Sequence, residues 1–233
     1  FLGNIGEDLN RVESICKKNK ILLIHDGAWC LGRKIKKKIG CSQGDISITS
    51  FSVPKIVTTG QGGAIMTNSP NIRNKVMGLI DQGDKDWRKK NNINSIGSNL
   101  RLSDLNASFG LSQLSRINLS HKIRRKNFKL LNKLLNNRLI KTLDNDYSFQ
   151  NVLLLKEKKK IIKYLRKIGI MATNQYNLYS KLNVFKKRYK KLKFPGGELW
   201  ASKAVYLPFG ISMSKKSITY IANQVNQSLK KIL

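Results

Sequence analysis

The segment of residues 50–63, SFSVPKIVTTGQGG, restricts the fold of this chain more than any other segment does. It follows apolar residues at alternating positions within 46–51, and it ends in a cluster of glycines between Gly60 and Gly63. A β-branched or aromatic run that stops at proline and glycine is typical of a strand that leads into a tight loop. The sequence therefore predicts a strand, a loop with Lys55 at its centre, and a second strand at 64–67.

Lys55 is the residue of this loop whose chemistry depends most on its surroundings. A lysine held between hydroxyl groups and apolar side chains is placed for a lowered pKa and for amine chemistry. The alternative is a solvated surface charge, since the chain contains 45 lysine and arginine residues. The loop sequence alone leaves both interpretations open.

Apolar periodicity and turn-forming residues predict the remaining elements of the first part of the chain. A continuous apolar run at 20–25 is typical of a buried parallel strand, and Asp26 follows it directly. Apolar residues at helical spacing predict helices, while polar segments predict a hairpin or a loop. The predicted elements are helices at 7–18, 70–81 and 103–135, an exposed hairpin at 33–38 and a loop at 83–96.

The composition changes near Leu139, and the rest of the chain predicts a small α/β domain. We therefore place a domain boundary near Asn136, so that residues 1–136 form part of a large domain and residues 137–233 form a small C-terminal one. The predicted elements of the small domain are strands at 151–155 and 204–207, helices at 157–167 and 214–229, and a basic, aromatic loop at 176–193.

The formal net charge of +32 is extreme for a chain of 233 residues. A composition rich in lysine, asparagine and isoleucine explains it without any function. An anionic partner, such as a molecule that carries phosphate groups, also explains it. Aromatic residues make up 8% of the chain and do not interleave with a basic strand as they do in single-strand binders, so nucleic acid is not the expected partner.

Cysteine and histidine usage argues against disulfides and metal chemistry. Cys16, Cys30 and Cys41 are odd in number and lack the C-x-x-C spacing, so neither a disulfide framework nor a zinc site is expected, and the cytoplasm is the expected compartment. The two histidines lie far apart, and we expect no metal site. No stretch approaches the roughly 18 to 20 apolar residues of a membrane span, so we expect no membrane association.

Three further motifs accompany the lysine loop. The run ILLIHDGAWCLG lies upstream, GSNLRLSDLNASFGLSQL opens a helix downstream, and VYLPFG follows later. In this order the chain resembles the DegT/DnrJ/EryC1/StrS family of sugar aminotransferases, which use pyridoxal 5'-phosphate (PLP). The resemblance runs from about Gly3 to the C-terminus, and it is specific between Ile24 and Gln113.

The resemblance implies both a fold and an activity. The fold would be an α/β fold like that of aspartate aminotransferase (fold type I), with part of a large domain built on a mixed, mostly parallel sheet and a small C-terminal α/β domain. The activity would be PLP-dependent transfer of an amino group, commonly from glutamate, to a keto-sugar carried on a nucleotide. Such reactions supply surface polysaccharide or related sugar biosynthesis.

The resemblance also implies roles for individual residues. Lys55 would form the Schiff base with PLP, and Asp26 would keep the pyridine nitrogen protonated. Ser50 would bind the cofactor phosphate, and Asn99 would reach the phosphate in the neighbouring subunit, which implies a homodimer with shared active sites. From the residues alone, Asp26 could instead be a helix cap, Ser50 a strand-end hydroxyl bonded to the local backbone, and Asn99 a turn residue.

Two departures from the family pattern bear on the expected site. Ala28 and Trp29 would also line the cofactor, but Trp29 stands where family members usually carry glutamine or histidine, and an indole N–H donates without accepting. The family's N-terminal portion, with a phosphate-binding turn and a stacking aromatic ring, has no counterpart in this sequence, so we expect an N-terminally incomplete relative. The competing hypothesis is a non-catalytic basic protein, either a truncated relative or an anion- or nucleic-acid-binding protein.

Overall fold

A computed structural model describes most of the chain, namely residue 3 and residues 8–35, 38–84, 86–93, 95–135, 141–142 and 150–232. Within it the chain divides into two compact units, Phe1–His121 and Lys122–Leu233. The predicted boundary at Asn136 lies outside the described residues. The observed division falls earlier in the chain, inside the long helical region that the sequence predicts.

The first unit is built around a three-stranded sheet with one parallel and one antiparallel pairing. Its order is β1-β4-β5, with β1 parallel and β5 antiparallel to β4, while β2 and β3 form a separate hairpin. The elements are α1 (Leu9–Lys18), β1 (Ile24–Asp26), β2 (Lys34–Ile35), β3 (Lys38–Ile39), β4 (Ile46–Ser50), β5 (Gly63–Met66), α2 (Pro70–Ile80), α3 (Trp87–Lys90) and α4 (Asp104–Leu114), followed by α5 (Ile117–Leu134), which continues into the second unit.

Local capping chemistry fixes where the helices of this unit begin. The Ser69 hydroxyl accepts a hydrogen bond from the Ile72 amide, and Pro70 occupies the first turn of α2. Ser103 accepts from the Asn106 amide in the same way at the start of α4. Both starts agree with the sequence prediction, whereas the predicted helical region at 103–135 is interrupted by the turn at Ser115 that separates α4 from α5.

Burial of the first strand differs from the prediction. The run at 20–25 was expected to be a buried parallel strand, and β1 is parallel to β4, but Ile21, Leu22 and Ile24 are 55%, 67% and 62% exposed. Within the described structure β1 has one pairing neighbour, β4, so its other edge has no strand beside it. The apolar pattern therefore predicted the strand correctly and its burial wrongly.

A close crossing of glycines positions the loop that leads to α4. A Cβ atom on Gly97 would lie 2.2 Å from the Gly83 amide nitrogen, and a Cβ on Gly83 would lie 1.7 Å from the Ser95 carbonyl oxygen. Gly83 also adopts φ +98°, which side chains rarely permit. Only glycine fits at these two positions, which explains the glycine that opens the motif GSNLRLSD.

The second unit carries the main apolar core. Its elements are β6 (Lys141–Thr142), β7 (Asn151–Leu154), α6 (Lys158–Lys167), a 3₁₀ turn (Tyr179–Lys181), α7 (Asn183–Tyr189), α8 (Pro195–Lys203), β8 (Ala204–Leu207) and α9 (Lys215–Ile232). The strands form an antiparallel sheet in the order β6-β7-β8. Fully buried side chains from this sheet, such as Leu153 and Val205, pack with Ile161 of α6 and Val225 of α9. Each such side chain contributes about 1.5–3 kcal/mol by leaving water.

Two segments expected to be loops contain helices. The segment at 176–193 holds the 3₁₀ turn and α7, and the segment at 83–96 holds the short α3. In α7, the rings of Phe185 and Tyr189 lie one helical turn apart, with centroids 6.0 Å from each other, and Phe194 approaches Tyr189 at 6.2 Å. The aromatic residues of this basic segment therefore form a local cluster that favours a helix.

Candidate active site

The two strands that carry the candidate residues end at the same edge of the sheet. Asp26 is the last residue of β1 and pairs in register with Ile48, two residues before Ser50 ends β4. Ligands of α/β proteins bind beyond the carboxyl ends of parallel strands. The parallel pairing thus brings the Asp26 carboxylate and the Ser50 hydroxyl to the edge where the sequence predicts a site.

A tightly bonded turn follows Asp26. One carboxylate oxygen, Oδ1, accepts a hydrogen bond of 3.0 Å from the Ala28 amide, and the Gly27 amide donates to the Ile48 carbonyl at 2.9 Å. The buried Cys41 thiol donates to the Gly27 carbonyl at 3.0 Å. Asp26 therefore shapes a turn rather than capping a helix, since residues 28–32 form turns before β2. These bonds orient Ala28 and the residue after it, Trp29.

Lys55 is placed on the ring of Trp29. Its Nζ atom lies 3.6 Å from the centroid of the indole, a distance at which a cation is attracted to the face of the ring. Partial burial lowers the pKa of Lys55, and the negative charge of Asp26 acts in the opposite direction. Of the two interpretations of Lys55, the half-buried amine with perturbed acidity agrees with the structure, and the fully solvated surface charge does not.

The loop around Lys55 is closed by hydrogen bonds between its two ends. The Phe51 amide donates to the Gly62 carbonyl, and the Phe51 carbonyl accepts from both the Thr59 amide and the Thr58 hydroxyl. The Thr58 backbone is also bonded on both sides by the side chain of Gln113 on α4. Sequence reasoning missed Gln113, because a single glutamine within a helix gives no signal of such a contact.

The Ser50 hydroxyl makes local contacts. It lies 3.1 Å from the Ser52 hydroxyl and accepts a bond of 3.3 Å from the Ser52 amide. This is the local bonding that strand-end serines commonly make. The two hydroxyl groups together form a small polar surface at the end of β4, directly before the loop that carries Lys55.

Asn99 is held by a separate set of contacts. It forms a bridge with Asp81 at the end of α2, and its side-chain oxygen accepts from Arg101 Nε at 3.2 Å. Arg101 in turn pairs with the Asp81 carboxylate at 3.4 Å. The structure therefore brings Asp26, Ala28, Trp29 and Lys55 together, with Ser50 on the neighbouring strand, whereas Asn99 is exposed on its own loop.

Two absences apply to the part of the chain that the structure describes. There, no group of three or more histidine, cysteine, aspartate or glutamate side chains could hold a metal ion. Over the same residues, no helix combines the length and the apolar character that crossing a bilayer requires.

Comparison with known proteins assigns the family. The model of the DegT/DnrJ/EryC1/StrS aminotransferase family matches residues 1–226. The chain belongs to this family. Family membership agrees with the resemblance carried by the motifs around Asp26, Lys55 and Asn99 in the sequence.

Two relatives of this DegT/DnrJ/EryC1/StrS chain are named transaminases of nucleotide-linked sugars, whereas a third, from Saccharopolyspora spinosa, is named a dTDP-4-dehydro-2,6-dideoxy-D-glucose 3-dehydratase. A UDP-4-amino-4,6-dideoxy-N-acetyl-beta-L-altrosamine transaminase from Helicobacter pylori is 25% identical over 238 residues, which cover 94% of this chain and 61% of the relative. A dTDP-4-amino-4,6-dideoxy-D-glucose transaminase from Shigella dysenteriae is 36% identical over 110 residues, 47% of this chain and 29% of the relative. The chain thus matches 29% to 61% of the length of these relatives.

Solved structures agree with the fold. The Helicobacter pylori aminotransferase PseC, involved in the biosynthesis of pseudoaminic acid, superposes with a TM-score of 0.90 at 23% identity, covering 100% of this chain and 66% of that one. The Streptococcus pneumoniae protein Spr1654, in its PMP form, gives a TM-score of 0.87 at 19% identity, covering 100% of this chain and 68% of that one. The expected aspartate aminotransferase-like fold is confirmed by these neighbours.

Proposed function

We propose that this protein is a PLP-dependent aminotransferase that moves an amino group to a keto-sugar carried on a nucleotide. The observation that supports it most directly is the Lys55 amine, which is half-buried over the Trp29 ring and close enough to Asp26, at a strand end, for that negative charge to act on its pKa. Family membership and the names of the relatives support the same class of reaction.

The donor set of this site fits PLP. The cofactor needs an amine to bond to, an acid for its ring nitrogen and donors for its phosphate, and when bound it supplies an electron sink. Lys55 would provide the amine, Asp26 the carboxylate, and Ser50 a hydroxyl for the phosphate, with Ala28 and Trp29 beside the ring. Trp29 is the departure in this set, because its indole cannot accept a hydrogen bond.

Each of these side chains would have a definite task. The lowered pKa of Lys55 increases the fraction of neutral amine near neutral pH, so that Nζ can take a proton from the substrate carbon and return it. Asp26 would hold a proton on the pyridine nitrogen, because a carboxylate stabilises the cation beside it. The Trp29 ring would hold the Lys55 amine whenever that amine is free and protonated.

The substrates and the compartment follow from charge and from the relatives. A nucleotide-sugar carries phosphates, which the net charge of +32 attracts. We propose glutamate as the amino donor and the cytoplasm as the compartment, the latter because Cys16, Cys30 and Cys41 are free thiols. All six proposed site residues lie in the first unit, which we propose is part of the PLP-binding domain, and the second unit is the small C-terminal domain.

A homodimer would cover apolar side chains that the first unit leaves in water. Leu105, Phe109 and Leu111 on α4 are exposed, as are Ile96 and Leu100 on the loop before it. Exposed apolar groups in such number are typical of an interface. Because Asn99 lies on this same loop, a second copy docked here would place Asn99 at the interface, which suits the proposed sharing of active sites.

Replacement of Lys55 tests the proposal. We expect Lys55→Ala to abolish transamination and to remove the PLP label that borohydride reduction leaves on the peptide containing residue 55. Lys75→Ala on the exposed face of α2 is the control and should retain both. Turnover near the wild-type rate in Lys55→Ala, or reducible PLP still bound to it in stoichiometric amount, would contradict the proposed role.

A further inference from the structure

The Gln113 side chain binds the backbone of the lysine loop on both sides of one residue. Its Nε2 donates to the Thr58 carbonyl at 2.7 Å, and its Oε1 accepts from the Thr58 amide at 3.1 Å. Nε2 also donates its other hydrogen to the Phe109 carbonyl, one turn earlier on α4, at 3.1 Å. The Gln113 amide can make these three bonds in one orientation only, because the carbonyl oxygens of Thr58 and Phe109 both require its NH₂ group as the donor.

The Thr58 side chain connects the two ends of the loop. Its hydroxyl donates to the Phe51 carbonyl at 3.0 Å and accepts from the Gly60 amide at 3.0 Å. Its neighbours are firmly packed, since Val57 is fully buried and Thr59 is 4% exposed. Whatever fixes Thr58 therefore fixes both ends of the loop that carries Lys55.

Close packing of α4 on the loop limits the alternatives. A Cβ on Gly110 would lie 2.8 Å from the Thr59 methyl group, so the helix backbone approaches the loop too closely for a larger residue. Gly110 lies one helical turn before Gln113. The glycine lets the helix approach the loop, and the glutamine bonds to it.

We propose that Gln113 is a positioning residue that holds the Lys55 amine in place through the Thr58 backbone. The inference rests on the proposed function of Lys55 as the amine that bonds the cofactor. Lys55 lies three residues before Thr58, and its own amide donates to the Ser52 carbonyl at 3.0 Å within the same closed loop. A displacement of a reacting group by about 1 Å can lower a rate about a hundredfold, so a fixed loop matters for Nζ.

The inference is tested on the purified protein without PLP. We compare Gln113→Leu and the nearly isosteric Gln113→Glu with Gln224→Leu, whose glutamine accepts a bond from the Tyr164 hydroxyl in the second unit. Hydrogen exchange reports the protection of the Thr58 amide. Competitive acetylation with acetic anhydride over a pH series reports the reactivity of Lys55, with Lys75 as the internal reference.

The expected results concern the loop and the amine together. Exchange at the Thr58 amide should accelerate about two- to tenfold in both Gln113 variants, the range that loss of one hydrogen bond produces. In Gln113→Leu the Lys55 labelling profile should move to higher pH, because a loosened loop exposes the amine to water and removes the burial that lowers its pKa. Asp26, the charged group that acts on Lys55, is unchanged by the substitution.

Two results would overturn the inference. Unchanged exchange at Thr58 would mean that Gln113 does not hold the loop. Faster exchange at Thr58 with an unchanged Lys55 labelling profile in Gln113→Leu would mean that Gln113 only stabilises the fold. If Gln113→Leu does not fold, the exchange at Thr58 and the labelling of Lys55 are compared in Gln113→Glu instead, and the same two results overturn the inference. Because acetylation uses no PLP, failure of the cofactor to bind wild-type protein would count against the proposed function and not against this contact.

Discussion

Replacing Trp29 by leucine should measure how strongly the indole ring holds the Lys55 amine. Leucine keeps apolar cover over the amine, so the burial that lowers the pKa of Lys55 is largely retained. The substitution removes the π face, which attracts the protonated form of the amine and not the neutral form. The hydrogen bond of the Asp26 turn is donated by the Ala28 backbone amide, which the substitution leaves in place.

The magnitude follows from the distance and the exposure. The separation of 3.6 Å between Nζ and the ring centroid lies well inside the range of about 6 Å over which such contacts act. They contribute about 0.5–1 kcal/mol at exposed sites and about 2 kcal/mol when desolvated, and a half-buried amine suggests about 1 kcal/mol. That free energy corresponds to roughly a fivefold change in the ratio of neutral to protonated amine.

Competitive acetylation of Lys55 at neutral pH reads this ratio, because only the neutral amine reacts. Trp29→Leu should accelerate labelling about fivefold, and Trp29→Phe should lie between leucine and wild type, since phenylalanine attracts cations less than tryptophan does. The acceleration should vanish at a pH above the pKa of Lys55, where every variant is neutral. Labelling that is unchanged or slower in Trp29→Leu at neutral pH would refute the argument, with the rate at Lys75 as the reference for general reactivity.

Two further predictions concern the acid and the interface. Asp26→Asn should lower turnover by orders of magnitude while the protein still binds PLP at Lys55, because the pyridine nitrogen would lose the carboxylate that keeps it protonated. Rapid-quench kinetics measure the turnover and borohydride labelling measures the bound PLP, and near-normal turnover would show that Asp26 only shapes its turn. Phe109→Glu should shift the protein from dimer to monomer in sedimentation, because it places a charge among exposed apolar side chains, whereas Lys122→Glu, also exposed on a helix, should not. A wild-type protein that sediments as a monomer, or a Phe109→Glu dimer of undiminished stability, would exclude this surface as the interface.

The elements that could be predicted from the sequence are those whose signals are local. The strand that ends at Ser50, the glycine-bounded loop and the capping serine at Ser103 are confirmed, because proline, glycine and hydroxyl residues act on their immediate neighbours. Burial of the strand before Asp26 was predicted wrongly, because burial depends on which elements pack against a strand and not on its own apolar residues.

Contacts that depend on distant parts of the chain could not be predicted. Gln113 forms a hydrogen bond with Thr58, which lies 55 positions earlier in the sequence, and the residues around either position do not predict this contact. The approach of Lys55 to Trp29 likewise requires β1 and β4 to be paired in their observed register. The roles proposed for Lys55, Asp26 and Asn99 remain predictions that the experiments above test.

The uneven distribution of the apolar core between the two units determines which region unfolds locally first. The second unit concentrates fully buried side chains such as Leu131 and Ile218, whereas the buried apolar side chains that the structure describes in the first unit are Cys30, Cys41 and Val57. Local unfolding free energies follow the apolar surface that each region removes from water. Proteases and solvent deuterons should therefore enter first around β1 and α1, and the β7–β8 sheet should be the last region to exchange. The proposed active site thus lies in the less protected unit, where binding of a cofactor or of a second subunit would stabilise the folded state most.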